Sequence, residues 1–477
     1  MTPSGRHLVL PLNRPQYVAA PEAFICALAW NEFEADYEPP PPAGLKLALM
    51  YDITPGTTKT LEYRRTRPNG RDLDRFADAL ARAGLEAEPG SQGALADALA
   101  RGLRGVRAER AHGQAAAPIT PSAALLQNLI GFAGSAGTPK LGDILEKMFS
   151  LGLSRSDDPR TASHLWAVAA SVRLEVDPLA QCVDTALASA AMAAPPAPLS
   201  IPGRRAADEA NAWRGLLSGT PFEWFADSWA ELTRREWVEA MPARAWADWA
   251  STVLRMAFGM GYLWEASWYE AIARRIQLAK PASWEELRGA MEPVLPWAPA
   301  TAGISIRDVR SRLAWRARRS TALHELLDDW ITEKSAGDDP IPDVIRAMSR
   351  DDAFVRSMRA ALGSTTQSAS ANNLKEAIQF SLKIRDDSGE FPDYYGLLRM
   401  HGRRWAVIDP GTEWIAVVAS LAAGGPRSEC DLGTVMASLE ALGLRPDLGD
   451  AVALLERAGL ARGSADADLG VRVGSAY

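Results

Sequence analysis

The chain has 477 residues, 47% of them apolar and 23% charged, with a formal net charge of −7. This is the make-up of a globular protein long enough for several domains and a large core. Its acidity excludes a whole-molecule electrostatic grip on nucleic acid and leaves room only for a local basic patch.

Three separated cysteines, Cys26, Cys182 and Cys430, form neither a disulfide framework nor a cysteine zinc site. They read as buried thiols of a reducing cytosol, so a cytoplasmic location is expected. No apolar run reaches 18 residues, and no membrane contact is expected. The opening MTPSGRHLVLPLNRP lacks an apolar stretch long enough for a secretory signal. The richness in alanine, arginine and glycine suggests a high-GC bacterial source.

The expected fold class is mainly α and multidomain, with a small α/β part first. Residues 1–75 read as mixed: apolar runs at 7–12 and 45–53 suit buried strands, a helix is expected over 23–33, and prolines 39–42 form a spacer. Residues 59–65 are expected to pair with the second strand as a hairpin. A helical region spans 76–193, interrupted by an alanine-rich loop at 108–121, with helices expected over 121–132, 141–151 and 162–172. The proline-rich stretch 194–204 is the clearest linker.

Residues 205–335 follow as a tryptophan-rich helical domain. Twelve of the sixteen tryptophans lie between Trp213 and Trp330, and Trp246, Trp249, Val253, Ala257, Met260 and Trp264 recur at helical spacing. An aromatic stacking platform for single strands or a ligand is one reading. A densely packed helical core is the other, and it fits the intervening Ala, Leu, Val and Met better.

The most basic tract comes next. Arg307, Arg310, Arg312, Arg316, Arg318 and Arg319 face only Asp308 within their window, and Arg312, Trp315, Arg316 and Arg319 share a helical face. Arg307, Arg310, Arg312, Trp315, Arg316 and Arg319 are therefore the candidate nucleic-acid contact. A solvated face paired with Glu325, Asp328 and Asp329 is the alternative. Residues 336–410 hold helices, a polar segment at 363–373 expected to be a mobile loop, and a hairpin of 395–400 with 404–408.

Catalytic signatures are missing. The chain has no glycine-lysine phosphate loop, no G-x-G-x-x-G after a strand, no G-x-S-x-G elbow and no H-E-x-x-H. His7, His112, His164, His324 and His401 are isolated in sequence. No cofactor or metal is expected. Distant residues can still assemble a site, so an enzyme remains a third reading.

Residues 411–477 end the chain. Leu432, Val435, Met436, Leu439 and Leu442 fall on one helical face, and Gly443 follows as a stop. Pro446 fits a helix start with Asp447 or Asp450 as cap, and Val452, Leu454, Leu455 and Leu460 supply the next apolar face. A polar tip at 463–468 then separates two short strands, with Leu469, Val471 and Val473 alternating. A helix over 414–421 precedes them. The string LEALGLRPDLGDAVALLERAGL resembles the helix-turn-helix core of winged-helix regulators, in which the second and third helices each end in Gly-Leu.

The resemblance implies a winged-helix-like domain, and DNA reading through Arg445, Arg457, Arg462 and Arg472. Charge argues otherwise. Over 412–477 nine acids oppose five arginines, and Asp447, Asp450 and Glu456 stand against Arg457 on the reading helix. These three acids are therefore candidates for protein docking.

The leading expectation is a non-catalytic interaction subunit of a bacterial multi-protein assembly. Its partners would be other protein subunits and, through Arg307–Arg319, nucleic acid, as in defence, restriction or chromosome maintenance. The alternative is a sequence-specific winged-helix transcriptional regulator whose tryptophan-rich region holds an effector.

Overall fold

The computed structural model describes residues 2–15, 21–33, 45–47, 51–55, 61–65, 70–86, 88, 90–102, 104–107, 114–126, 138–155, 158–191, 212–363, 368–385, 393–402, 404–463 and 470–477. The proline spacer 39–42, the linker 194–204 and residues 464–468 of the polar tip lie outside these residues.

The protein is mainly helical. Its first half carries α1 (Glu22–Phe33), α2 (Gly70–Arg82), α3 (Gln92–Gly102), α4 (Pro121–Leu126), α5 (Thr138–Gly152), α6 (Ala162–Val176) and α7 (Pro178–Ala191). A five-stranded sheet sits among them, built from β1 (Leu45–Leu47), β2 (Tyr51–Pro55), β3 (Leu61–Arg65), β4 (Arg104–Arg107) and β5 (Gln114–Ala116) in the order β1-β2-β3-β5-β4. All its pairings are antiparallel, with Leu45 opposite Ile53 and Tyr51 opposite Arg65. The expected single strand over 45–53 is thus two strands that pair with each other. Part of the expected loop at 108–121 is β5, which closes on β4 and β3.

The apolar run at 7–12 is not a strand. A 3-10 turn, Gly5–Leu8, leads into an extended strap whose polar backbone is met by side chains and a distant turn. Gly5 and Arg6 donate to the carbonyls of Asp339 and Gly337. Trp268 Nε1 donates to Leu8 O at 3.0 Å, and Leu10 N–H donates to the Tyr269 hydroxyl at 3.2 Å. These bonds satisfy the buried strap without a sheet partner.

The second half is organised by one long helix. After α8 (Pro221–Leu232) and α9 (Arg235–Ala240), α10 runs from Ala243 to Gln277, about 50 Å at 1.5 Å per residue. Every residue from Trp249 to Ala273 is buried, the pattern of a helix surrounded on all sides. α1, α5 and α8 pack against it, as do α11 (Trp284–Gly289), α13 (Arg310–Glu333), α14 (Ile341–Arg350), α15 (Asp352–Gly363) and α16 (Ala369–Leu382). The short α12 (Ile304–Arg307) precedes α13. Ser368 caps α16 by accepting from Ala371 N–H at 3.1 Å, so the polar stretch expected as a loop is helical from Ala369.

β6 (Leu398–His401) and β7 (Trp405–Ile408) form the expected hairpin. The C-terminal part follows in the order α17 (Thr412–Ala423), β8 (Glu429–Asp431), α18 (Leu432–Ala441), α19 (Leu448–Arg457), β9 (Ala461–Gly463) and β10 (Val471–Gly474). Its sheet is antiparallel in the order β8-β10-β9. Asp431 and Asp447 cap the two helices, accepting from Thr434 and Asp450 N–H at 2.9 and 2.7 Å. One hydrophobic cluster runs from Leu8 to Val473, so this part shares its core with the rest. Trp224 Nε1 donates to Ser438 Oγ at 3.0 Å, and the Trp249 and Tyr477 rings meet edge-on at 5.4 Å.

Candidate functional site

Ten of the twelve clustered tryptophans are buried, from Trp229, Trp237 and Trp268 at 0% exposed to Trp284 and Trp330 at 8%. Their indole N–H groups are largely spoken for inside the fold: Trp229 by Ala162 O, Trp246 by Leu232 O, Trp237 by Glu231 and Trp330 by Asp351. They form the core of the α10 region, where each large ring removes an extensive apolar area from water. Of the other two, Trp297 is half-buried and Trp315 is 36% exposed on α13.

The basic tract on α13 divides. Arg316 is fully buried. Its Nη1 donates to the carbonyl oxygens of Pro293, at 3.0 Å, and Val294, and its Nη2 lies 3.6 Å from Glu270. Burial pushes its pKa down against the pull of Glu270, and burial likewise pushes the Glu270 carboxyl up. Arg316 therefore sits in the interior, where no phosphate backbone reaches it.

Arg312 donates to Glu292 at 2.8 Å, and Arg274 approaches the same carboxylate at 3.1 Å. Arg307 donates to Ala300 O and Ile408 O at 3.4 and 3.2 Å. What faces solvent is Arg310, Trp315 and the half-buried Arg318 and Arg319. The Arg319 guanidinium lies 3.3 Å from the Trp315 ring centroid, a cation–π plate.

The partner of the inward arginines is the loop 290–303, which the sequence reading passed over. Pro293, Pro296 and Pro299 keep it out of helix. One side accepts Arg312 and Arg316. The other meets the C-terminal helices: Trp297 Nε1 donates to Asp450 Oδ2 at 2.9 Å, and Ala300 N–H donates to the same oxygen at 3.2 Å. Val294 lies against the turn between α18 and α19. A Cβ on Gly443 would stand 2.5 Å from Val294 Cγ2, and the backbone there has φ +84°. Glycine is required at Gly443 for both reasons. The basic helix and the helical pair of the C-terminal part, separate in sequence, are thus fastened to opposite sides of one loop. The Pro-x-x-Pro-x-x-Pro spacing around Trp297 was the signal available for it.

Of the remaining C-terminal candidates, Arg445, Arg457, Arg472, Asp447 and Glu456 are exposed. Arg445 pairs with Glu440 at 2.8 Å in solvent, and Arg462 stands opposite Arg472 in the β9–β10 register. Leu448, between Asp447 and Glu456 in sequence, is 61% exposed.

The titratable groups of the interior are engaged in structure. Glu265 is fully buried and accepts from Arg14, from Ser320 Oγ at 3.0 Å and from the Tyr269 hydroxyl at 3.2 Å. His324 Nδ1 lies 2.9 Å from that hydroxyl. With Leu10 N–H also donating to the Tyr269 oxygen, a proton on His324 Nδ1 satisfies all three groups. His7 bonds to Ala212 O and His164 to Glu32. Among the described residues no three His, Cys, Asp or Glu side chains are grouped to hold a metal ion.

Comparison with known proteins finds no matching family model, curated protein or solved structure.

Proposed function

We propose that this chain is a non-catalytic docking subunit of a multi-protein assembly, and that residues 411–477 are a winged-helix-like module used for protein contact. The order helix, strand, two helices and strand pair supports the winged-helix-like module, as does a three-stranded antiparallel sheet with its last strand in the middle. The observation that carries its use for protein contact is the clamp on Asp450. A DNA-reading helix offers its N-terminal residues to base edges. Here that end of α19 is fastened to Trp297 and Ala300 of the body. Along its length α19 turns Leu448, Glu456 and Arg457 to solvent, with the capping Asp447 beside them, an exposed leucine among charged groups. Such a surface suits a protein partner offering an apolar pocket ringed by basic groups.

The test is affinity capture from the native cells with the wild type, Leu448→Glu and Glu456→Lys. The reading expects a stoichiometric protein partner that both substitutions weaken. A chain recovered alone and monomeric, or a partner indifferent to both changes, would overturn it.

One observation favours a second contact, with nucleic acid, as in an assembly acting on DNA. The Arg319–Trp315 plate is half open, with Arg318 on the next turn and Arg310 exposed at the start of the same helix, an arrangement on which a base can stack. Salt-titrated binding to single-stranded and duplex DNA separates this from the regulator reading. Loss on Trp315→Ala and Arg310→Ala supports the plate. Loss on Arg457→Ala and Arg445→Ala supports a DNA-reading winged helix instead.

A further inference from the structure

A cleft of about 140 Å³ opens where the α18–α19 turn meets the central body. By the same measure one water needs roughly 10–15 Å³, so the space suits a small organic molecule. Its apolar wall is Trp264, Met291 and Val294, and it carries a guanidinium from each side, Arg288 from α11 and Arg445 from the turn.

Arg288 donates to Leu216 O at 3.3 Å and Ser218 O at 2.6 Å. Among the described residues no carboxylate lies within ion-pair distance of it, and Glu223 acts on it only from farther off. Glu292 also lines the cleft, but Arg274, Arg312 and Arg316 already surround it at 3.1, 2.8 and 3.8 Å. Glu440, on the rim, is answered by Arg445. The group as a whole sets Arg274, Arg288, Arg312, Arg316 and Arg445 against Glu223, Glu270, Glu292 and Glu440, which leaves one cation in excess.

We propose that this cleft is a binding site for a small organic anion. A carboxylate or phosphate head would be held by Arg288, and a flat apolar body would lie against Met291, Val294 and Trp264. Arg445 is the second contact to the head. Its pairing with Glu440 is solvent-exposed, and exchanging such a pair costs little. A guanidinium suits either head because its N–H fork matches both oxyanions. The inference is independent of the docking reading, since it concerns the buried side of the α18–α19 turn and not the outer face of α19.

The experiment is calorimetric titration of the full chain with benzoate and phenyl phosphate. Inorganic phosphate lacks the body and benzyl alcohol lacks the charge. One saturable site is expected for at least one aromatic anion, tighter than for either control, and the preferred head is read from the benzoate to phenyl phosphate ratio. Arg288→Ala is expected to weaken it roughly ten- to hundredfold, as for loss of a charged hydrogen bond. Ala441→Phe, which places a ring in the cleft, is expected to abolish it. Bound anion should also slow amide exchange over 436–445. Should Arg288→Ala fail to fold, Arg445→Ala and Ala441→Phe carry the same test. The proposal is overturned by absence of saturable binding of both aromatic anions, by benzyl alcohol binding as tightly as benzoate, by exchange protection confined elsewhere, or by unchanged affinity in folded variants.

Discussion

Trp297 donates its indole N–H to Asp450 Oδ2 at 2.9 Å, joining the proline-rich loop of the central body to the first turn of α19. The same oxygen accepts from Ala300 N–H at 3.2 Å, so one carboxylate holds the loop at two points. This contact adds to the burial of Ala451, Leu454 and Leu455 in fixing which side of α19 meets solvent.

Asp450→Ala removes that acceptor and is expected to cost about 1–2 kcal/mol, the range for a partly exposed hydrogen bond to a charged group. Asp450→Asn keeps an acceptor oxygen and should cost less. Urea denaturation measures the difference, and hydrogen exchange of the Ala300 amide locates it. Equal exchange at Ala300 in wild type and Asp450→Ala would show that the clamp does not hold the loop.

Arg316 and Arg310 lie six residues apart on α13 and should respond oppositely to truncation. Arg316→Ala strands the buried Glu270 carboxylate and the carbonyls of Pro293 and Val294, at a cost of about 3–5 kcal/mol. Arg316→Met, which restores packing, should recover part of that. Arg310→Ala is at the exposed start of the helix and should stay within about 0.5 kcal/mol. Denaturant midpoints of the three variants provide the check.

Stability should fall in mild acid through His324. Burial is the main cause of its lowered pKa, with the Arg14 charge adding to it and Glu265 and Asp328 opposing. A histidine whose folded pKa lies below its unfolded value of about 6.5 takes up protons preferentially when unfolded. Its contribution is therefore fully present above that pH and is lost as pH falls below it. The buried carboxyls Glu146, Asp184 and Glu270 have raised pKa values and act in the opposite sense, contributing stability that is lost as pH rises through their folded values. The difference between wild type and His324→Gln, followed by denaturation from pH 7.5 to 5, isolates the histidine. A difference independent of pH would contradict the assignment.

Two glycines make a paired test of packing. A Cβ on Gly259, in the middle of α10, would lie 2.6 Å from Leu382 Cδ2 and 2.7 Å from Ser381 Oγ on α16. Gly259→Ala is expected to destabilise by about 1–3 kcal/mol through overpacking. Nothing lies within 4 Å of such an atom on Gly289, at the end of α11. Gly289→Ala is expected to be neutral or to stabilise by up to about 1 kcal/mol. Thermal unfolding of both variants distinguishes them.

Local pattern alone determined much of this protein. The helical spacing of Trp246, Trp249, Val253, Ala257, Met260 and Trp264 marked a helix with a rich apolar surface, and all six residues are buried. Gly443 and the Asp447 cap bounded the last helices because left-handed glycine and side-chain capping act within a few residues. Interactions closed over long separations were not legible in the same way. β8 is only Glu429, Cys430 and Asp431, and it is a strand because β10 pairs with it from more than forty residues on. Residues 7–12 looked like a strand, yet α10 side chains satisfy the strap's backbone. The arginine face of α13 was visible in sequence, but its direction was not. Helical periodicity assigns residues to a common face, and only the positions of Glu270, Glu292, Pro293 and Val294 in the tertiary structure turned Arg316 into the core and left Trp315 outside.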